Sequence, residues 1–235
     1  MTNDIEKLMR GLEAIPKENF TKYADGWNGR ISLALIDAVF SMGARYETAN
    51  GKGVGPNVNA IATQWKGAAA DPSDDLKELI SLGEEAVREV MGRGKVSPGR
   101  DSERYKSIAV LEAAQNFVNL GVVNSADITS RWVQDEEFRA KLKNAYTSIP
   151  GLGCVTFEYF TMLLGIPGVK ADRMIVRFVE NALGEGVPSE QRANAAIKEV
   201  YEEWRKVEGN NASLIEFEHA IWRYGSEHTH PNKAE

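Results

Sequence analysis

The chain has 235 residues, 43% of them apolar, and a net charge of −6, with an isoelectric point near 5.3. That is enough apolar material for one large or two small domains, but no apolar run reaches the roughly eighteen residues a membrane-spanning helix needs. The single cysteine, Cys154, excludes an internal disulfide framework, and the acidic balance counts against nonspecific nucleic-acid affinity, which rests mainly on Lys and Arg.

The first residues, Met1 to Lys7, lack a basic region followed by an apolar run. No secretory signal is expected, and a cytoplasmic protein is the default. A short amphipathic helix is predicted over about 4–14, then a loop ending in Gly26-Trp-Asn-Gly29. Residues 31–40 form a strongly apolar helix whose one charge, Asp37, is expected to face a partner or a cleft. The Gly-rich loop at 49–56 is not a Walker loop, because no Gly-Lys-Ser/Thr follows at the needed spacing. Helices are predicted from Val58 to Trp65, from Asp74 to Leu82, with acids in its first turn as the helix dipole favours, and from Glu84 to Met91.

The charge is uneven along the chain. Residues 88–106 hold Arg88, Arg93, Lys95, Arg100, Arg104 and Lys106 against Glu89, Asp101 and Glu103. Such a stretch is either a local phosphate-binding face or a solvated loop. Further helices are predicted over 105–120, from Ser125, over 135–145, over 173–183 stopping at Gly184, over 189–207, and from a Ser213–Glu216 capping box to about Tyr224. The polar tail, 226–235, is expected to be disordered. Val, Ile and Thr are dispersed within period-3.6 patterns, so no strand is predicted. The fold class read from this pattern is all-α, with about ten helices.

The chemistry concentrates between Ile149 and Phe178. Ile149-Pro-Gly-Leu-Gly153 is a tight turn whose glycines leave backbone N–H groups unobstructed. It runs into a helix N-terminus, which favours a phosphate. The loop Gly165-Ile-Pro-Gly-Val-Lys-Ala171 then delivers Asp172 to the start of the next helix, as an N-cap. This sequence of motifs resembles the helix-hairpin-helix, Gly/Pro-rich loop, Asp signature of base-excision DNA glycosylases, the superfamily of endonuclease III and of the adenine and alkyl-base glycosylases. The resemblance covers roughly residues 30 to 225.

It implies two helical lobes around a cleft, one over 30–164 and the other combining 1–29 with 165–225. It also implies double-stranded DNA as partner and Asp172 as catalytic carboxylate. The amides of Gly151, Gly153 and Val155 would bind a DNA phosphate, flanked by Lys170 and Arg173. Arg45 and Tyr46 follow the first core helix, where relatives fill the gap left by a flipped base; ordinary packing is the plainer reading of Tyr46. Hairpin carbonyls in this family can hold a monovalent cation, while the four cysteines of an iron–sulfur cluster are missing here. The lyase Lys of strand-nicking members falls at Val155, which cannot form a Schiff base. A monofunctional glycosylase, monomeric and without cofactor, is therefore expected. The alternatives are a non-catalytic DNA-binding module and a protein-interaction scaffold.

The remaining candidates read as structural. His228 and His230 have no acidic or cysteine partner at ligand spacing. His219 reads as packing, and so do Trp27, Trp132, Trp204 and Trp222. Cys154 has no His or Asn arranged in sequence beside it, so a thiol enzyme is not expected.

Overall fold

The computed structural model describes residues 3–21, 26–44, 53–63, 72–96 and 104–228. Among these there are eleven α-helices and two short 3₁₀ turns, with one isolated antiparallel bridge between Lys95 and Tyr105 and no strand. The all-α expectation holds. No described helix is long and apolar enough to cross a membrane. The chain divides into two compact units, Met1–Ala24 with Pro167–Glu235, and Asp25–Ile166.

The larger unit is built on α2 (Ile31–Phe40), which packs against α5 (Lys106–Asn119) and α8 (Cys154–Leu163). All ten residues of α2 are buried, as expected of a helix that is apolar on every side. Around it stand α3 (Val54–Ala62), α4 (Leu76–Met91), α6 (Ser125–Thr129) and α7 (Glu136–Thr147). Two helices are predicted where α4 runs, and Gly83 explains both descriptions: its φ of +85° and ψ of 162° break the helix at that residue.

Asp37 does not face a cleft. It is fully buried, accepting from Trp27 Nε1 at 2.7 Å and from the Tyr159 hydroxyl at 3.4 Å. It ties the 26–29 segment and α8 to the central helix, and Trp27 N–H donates to the Leu163 carbonyl as well.

The smaller unit packs α1 (Asn3–Leu12), α9 (Arg173–Leu183), α10 (Glu190–Trp204) and α11 (Leu214–His228). Its core takes Leu8 and Leu12 from α1, Ile175, Val179 and Leu183 from α9, Ile197 and Val200 from α10, and Phe217, Ala220 and Ile221 from α11. Phe20 stacks on Trp204 at 4.9 Å, and Phe217 closes the cluster at 5.0 Å from Trp204. The caps match the sequence: Asp172 and Gly184 bound α9, Ser189 starts α10, and Ser213 exchanges hydrogen bonds with Glu216 ahead of α11. The last helix runs past Tyr224 to His228, taking in Ser226, which was expected to open the tail. Residues 229–235 lie outside the described residues.

One carboxylate organises helix starts in the larger unit. Helix α2 has no side-chain cap of its own. Instead Asp74 accepts from Ile31 N–H at 3.0 Å, and from Ser125 N–H and Oγ at 2.9 and 3.0 Å. It satisfies the opening amides of α2 and α6 together. Asp74→Ala should cost roughly 2–4 kcal/mol in urea unfolding, since it strands several donors in a part-buried place; a loss below about 0.5 kcal/mol would show that water substitutes for the carboxylate.

Candidate functional site

In the larger unit, α7 and α8 are joined by the turn 149–153. Ile149 N–H donates to the Tyr146 carbonyl at 3.2 Å and Leu152 N–H to the Ile149 carbonyl at 3.0 Å. Ile149 and Leu152 are buried, which turns Gly151, Gly153 and Cys154 outward. The first intrahelical bond of α8 runs from Phe157 N–H to the Gly153 carbonyl at 3.1 Å. The amides of Cys154, Val155 and Thr156 therefore precede the helical ladder and point out of the helix end. The Thr156 hydroxyl donates to the Gly153 carbonyl at 2.9 Å and accepts its N–H at 3.3 Å. Such an end suits an anion.

The two glycines differ. Gly151 has φ +91°, and an added Cβ would lie 2.8 Å from Val96 Cβ. Its lack of a side chain is a packing and backbone requirement. A Cβ on Gly153 would meet nothing within 4 Å, so its surface is open for a ligand. The contact places Val96, within the basic stretch, beside the turn.

Among the described residues of that stretch, several charges are turned to partners. Lys106 is buried, donating to the Phe40 carbonyl at 3.1 Å and the Met42 carbonyl at 2.6 Å. It satisfies the C-terminal end of α2, and burial lowers its pKa. Arg104 pairs with Glu112. Arg88 pairs with Glu84 at 3.4 Å and lies over Tyr105. Arg93 and Lys95 are exposed, while Arg100 lies outside the described residues.

In the smaller unit, Asp172 is the N-cap of α9. Its Oδ1 accepts from Met174 N–H at 2.8 Å and Ile175 N–H at 3.3 Å. Its Oδ2 accepts from Trp222 Nε1 on α11 at 2.9 Å. The loop before it is also tied down. Asn194 of α10 donates to the Val169 carbonyl at 2.7 Å, and Asp172 N–H turns back to the Lys170 carbonyl at 2.6 Å. Val169 and Ala171 are buried.

Two side chains of α11, Trp222 and Glu218, act on this carboxylate. Glu218 is 5% exposed. Burial, then the charge of Asp172, pushes its carboxyl up to about 8, against the opposing charge and backbone N–H of Lys170. His219 stacks on Trp222 at 5.8 Å, and burial, with Arg223 next, takes its pKa down to about 4. Trp222, expected only to pack, is a ligand of the carboxylate; His219 is packed, as expected.

Residues 6–226 match the family described as Domain of unknown function (DUF8548). The chain belongs to that family. No sequence among the curated proteins matches it. Among solved structures, this DUF8548 member is similar to the 3-methyladenine DNA glycosylase (MagIII) of H. pylori, in a crystal structure with bound 1,N6-ethenoadenine. The TM-score is 0.56 at 13% identity, over 98% of this chain and 100% of that chain. At that identity the likeness concerns the fold, which is that of a helical DNA glycosylase.

Gly151, Gly153 and Val155 thus gather at one helix end of the larger unit, and Lys170, Asp172 and Arg173 at one helix start of the smaller. Arg173 is exposed, whereas half-buried Lys170 acts on Glu218. Arg45 and Tyr46 lie outside the described residues. Trp222 and Glu218 were missed by the sequence reading. One signal was there: Leu214, Phe217, Glu218 and Ile221 follow the i, i+3, i+4, i+7 spacing of a buried stripe, and Glu218 is the charge within it.

The two glycines give separable outcomes. Gly153→Val should leave the melting temperature within about 2 °C of wild type, its side chain entering open space. Gly151→Val should destabilise the larger unit by roughly 2–4 kcal/mol through its positive φ and the Val96 contact. Equal melting curves for the two variants would contradict this division of roles.

Proposed function

We propose that the protein is a monofunctional DNA N-glycosylase, which hydrolyses the bond between a damaged or mispaired base and its sugar with Asp172 as the catalytic carboxylate. The observation that carries this reading is the way Asp172 is held. An N-cap needs one carboxylate oxygen. Here the second oxygen is fixed by an indole from another helix, and the preceding loop is anchored by Asn194. That is more support than capping requires, and it stands in a chain whose fold is similar to a DNA glycosylase.

The chemistry follows from the charge. Loss of the base leaves positive charge on the sugar, and a fixed carboxylate stabilises it without having to reorganise. The same group can orient or deprotonate the attacking water. The base must first leave the helical stack. The amides at the start of α8, with Gly153 open beside them, serve as the phosphate grip, with Lys170 and Arg173 as candidate backbone contacts on the other unit. Val155 supplies no amine, so the product is an intact abasic strand. The single Cys154 cannot build an iron–sulfur site, and the reaction needs no cofactor. Double-stranded DNA is the partner, engaged by a monomer.

One observation favours a second reading, a binding module without chemistry. Lys106 and Arg104, two cations of the basic stretch, are turned to partners within the chain, which withdraws them from DNA.

The test is a panel of duplexes carrying 1,N6-ethenoadenine, methylated, oxidised, deaminated and mismatched bases, scored for abasic sites. Asp172→Asn removes the charge and should slow base release by about 10²–10³. It also places an amide NH₂ where Trp222 Nε1 needs an acceptor, costing roughly 1–2 kcal/mol of stability. Trp222→Phe keeps the charge, loses one hydrogen bond, and should slow release by much less, about tenfold. If Asp172→Asn stays within a few-fold of wild type, Asp172 is only a cap; if wild type releases no base from any duplex, the binding-module reading takes precedence.

A further inference from the structure

Glu218 is buried, which a charged side chain rarely is unless it is paired. It lies one helical turn before Trp222, the residue that holds Asp172 Oδ2. Lys170 and Asp172, at the end of one loop, are the groups that act on it, and the Lys170 carbonyl receives Asp172 N–H at 2.6 Å. Glu218 thus touches the same loop that Asp172 ends, while α11 grips Asp172 itself.

We propose that Glu218 is a positioning residue for Asp172: buried on α11 one turn from Trp222, it backs the loop and the indole that hold the Asp172 carboxylate. This rests on the role of Asp172 proposed above. Among the described residues, the groups acting on Glu218 are Asp172 at the start of α9, which holds the proton on it, and Lys170 in the preceding loop, which opposes. His219, beside it on α11, is neutral above about pH 4. Lys17 and Glu18 of the adjoining 3₁₀ turn are exposed, and so are Lys198, Glu199 and Glu202 of α10. Arg173 of α9 is exposed too, and Arg177 and Arg223 are half-buried.

Near pH 8 the Glu218 proton leaves for solvent. Two adjacent anions then share one loop, and their repulsion displaces the carboxylate from its fixed position.

The sign of the stability effect is definite. The folded chain keeps a proton on Glu218 that the unfolded chain releases above its ordinary value of 4.5. The stabilisation is complete below that value and is lost as pH rises to about 8. His219 acts the opposite way, but only between 6.5 and about 4. Between pH 6.5 and 8 Glu218 therefore acts alone of the two.

Three measurements test the pair, two of them independent of catalysis. The Glu218 carboxyl is titrated by ¹³C NMR in wild type and in Asp172→Asn. Removing the neighbouring charge should lower the midpoint by on the order of one pH unit; equal midpoints overturn the proposal, whether or not any duplex loses a base. Melting temperature is followed from pH 6.5 to 8, where wild type should fall and Glu218→Gln stay flat; parallel curves overturn it. Base release is measured on the duplex panel above. Wild type should slow about tenfold per pH unit above about 8, with no such limb for Glu218→Gln, and a limb shared by both overturns it. A lowered midpoint in Asp172→Asn alongside a panel that yields no abasic sites would retain the pair and remove the glycosylase reading.

Discussion

Holding a carboxylate still costs free energy, and the smaller unit is organised around meeting that cost at Asp172. Two amides of α9, an indole of α11 and the loop contacts from α10 fix it from different directions. Each contact needs its helix at the right depth and rotation, and the hydrophobic packing supplies that. Phe217, Ala220 and Ile221 bury one face of α11. With that face fixed, Glu218 and Trp222, four residues apart, are carried to the loop together. Losing the aromatic cluster of Phe20, Trp204 and Phe217 would therefore disturb the site without touching it.

The larger unit obeys the same rule with different groups. Asp37 and Lys106 are charged side chains buried in or against α2, and each has partners to compensate its burial. Lys106 ends the helix where its carbonyls run out, and Asp74 starts it where its amides have no cap. The central helix is thus terminated by charges of the sign its dipole favours at each end. On the proposed reading, phosphate recognition on this unit falls to the backbone N–H groups at the start of α8.

Much of this was legible in the chain. The periodicity gave an all-helical fold, and the caps at Asp172, Gly184, Ser189 and Ser213 mark true helix ends, because capping is local chemistry. The hairpin was legible for the same reason, though Gly151 and Gly153 could not be told apart: the Val96 contact that separates them comes from far along the chain. What stayed hidden were convergences between distant helices. Trp222 reaches Asp172 across fifty positions, and nothing in the spacing distinguishes it from a packing tryptophan. The basic stretch was legible only as a charge count, which says nothing of which way a side chain turns: Lys106 turns inward to the end of α2. Asp37 and Glu218 left a fainter trace, each a charge placed where its helix's apolar pattern calls for a hydrophobe.

Such misplaced charges are where local preference and global fold disagree, and that disagreement tends to mark function or strain. The two cases differ in what balances them. Asp37 is answered by neutral donors, Trp27 and Tyr159, which compensate a buried carboxylate and pin a loop; anchoring accounts for it. Glu218 is answered by one backbone amide and set against another carboxylate. A side chain chosen for stability alone would be an isosteric glutamine, which makes the same bond to Lys170 with no penalty at any pH. The glutamate brings no packing that glutamine lacks. What it adds is a titratable proton near a carboxylate fixed through both of its oxygens, and on the proposed reading that difference points to chemistry at Asp172.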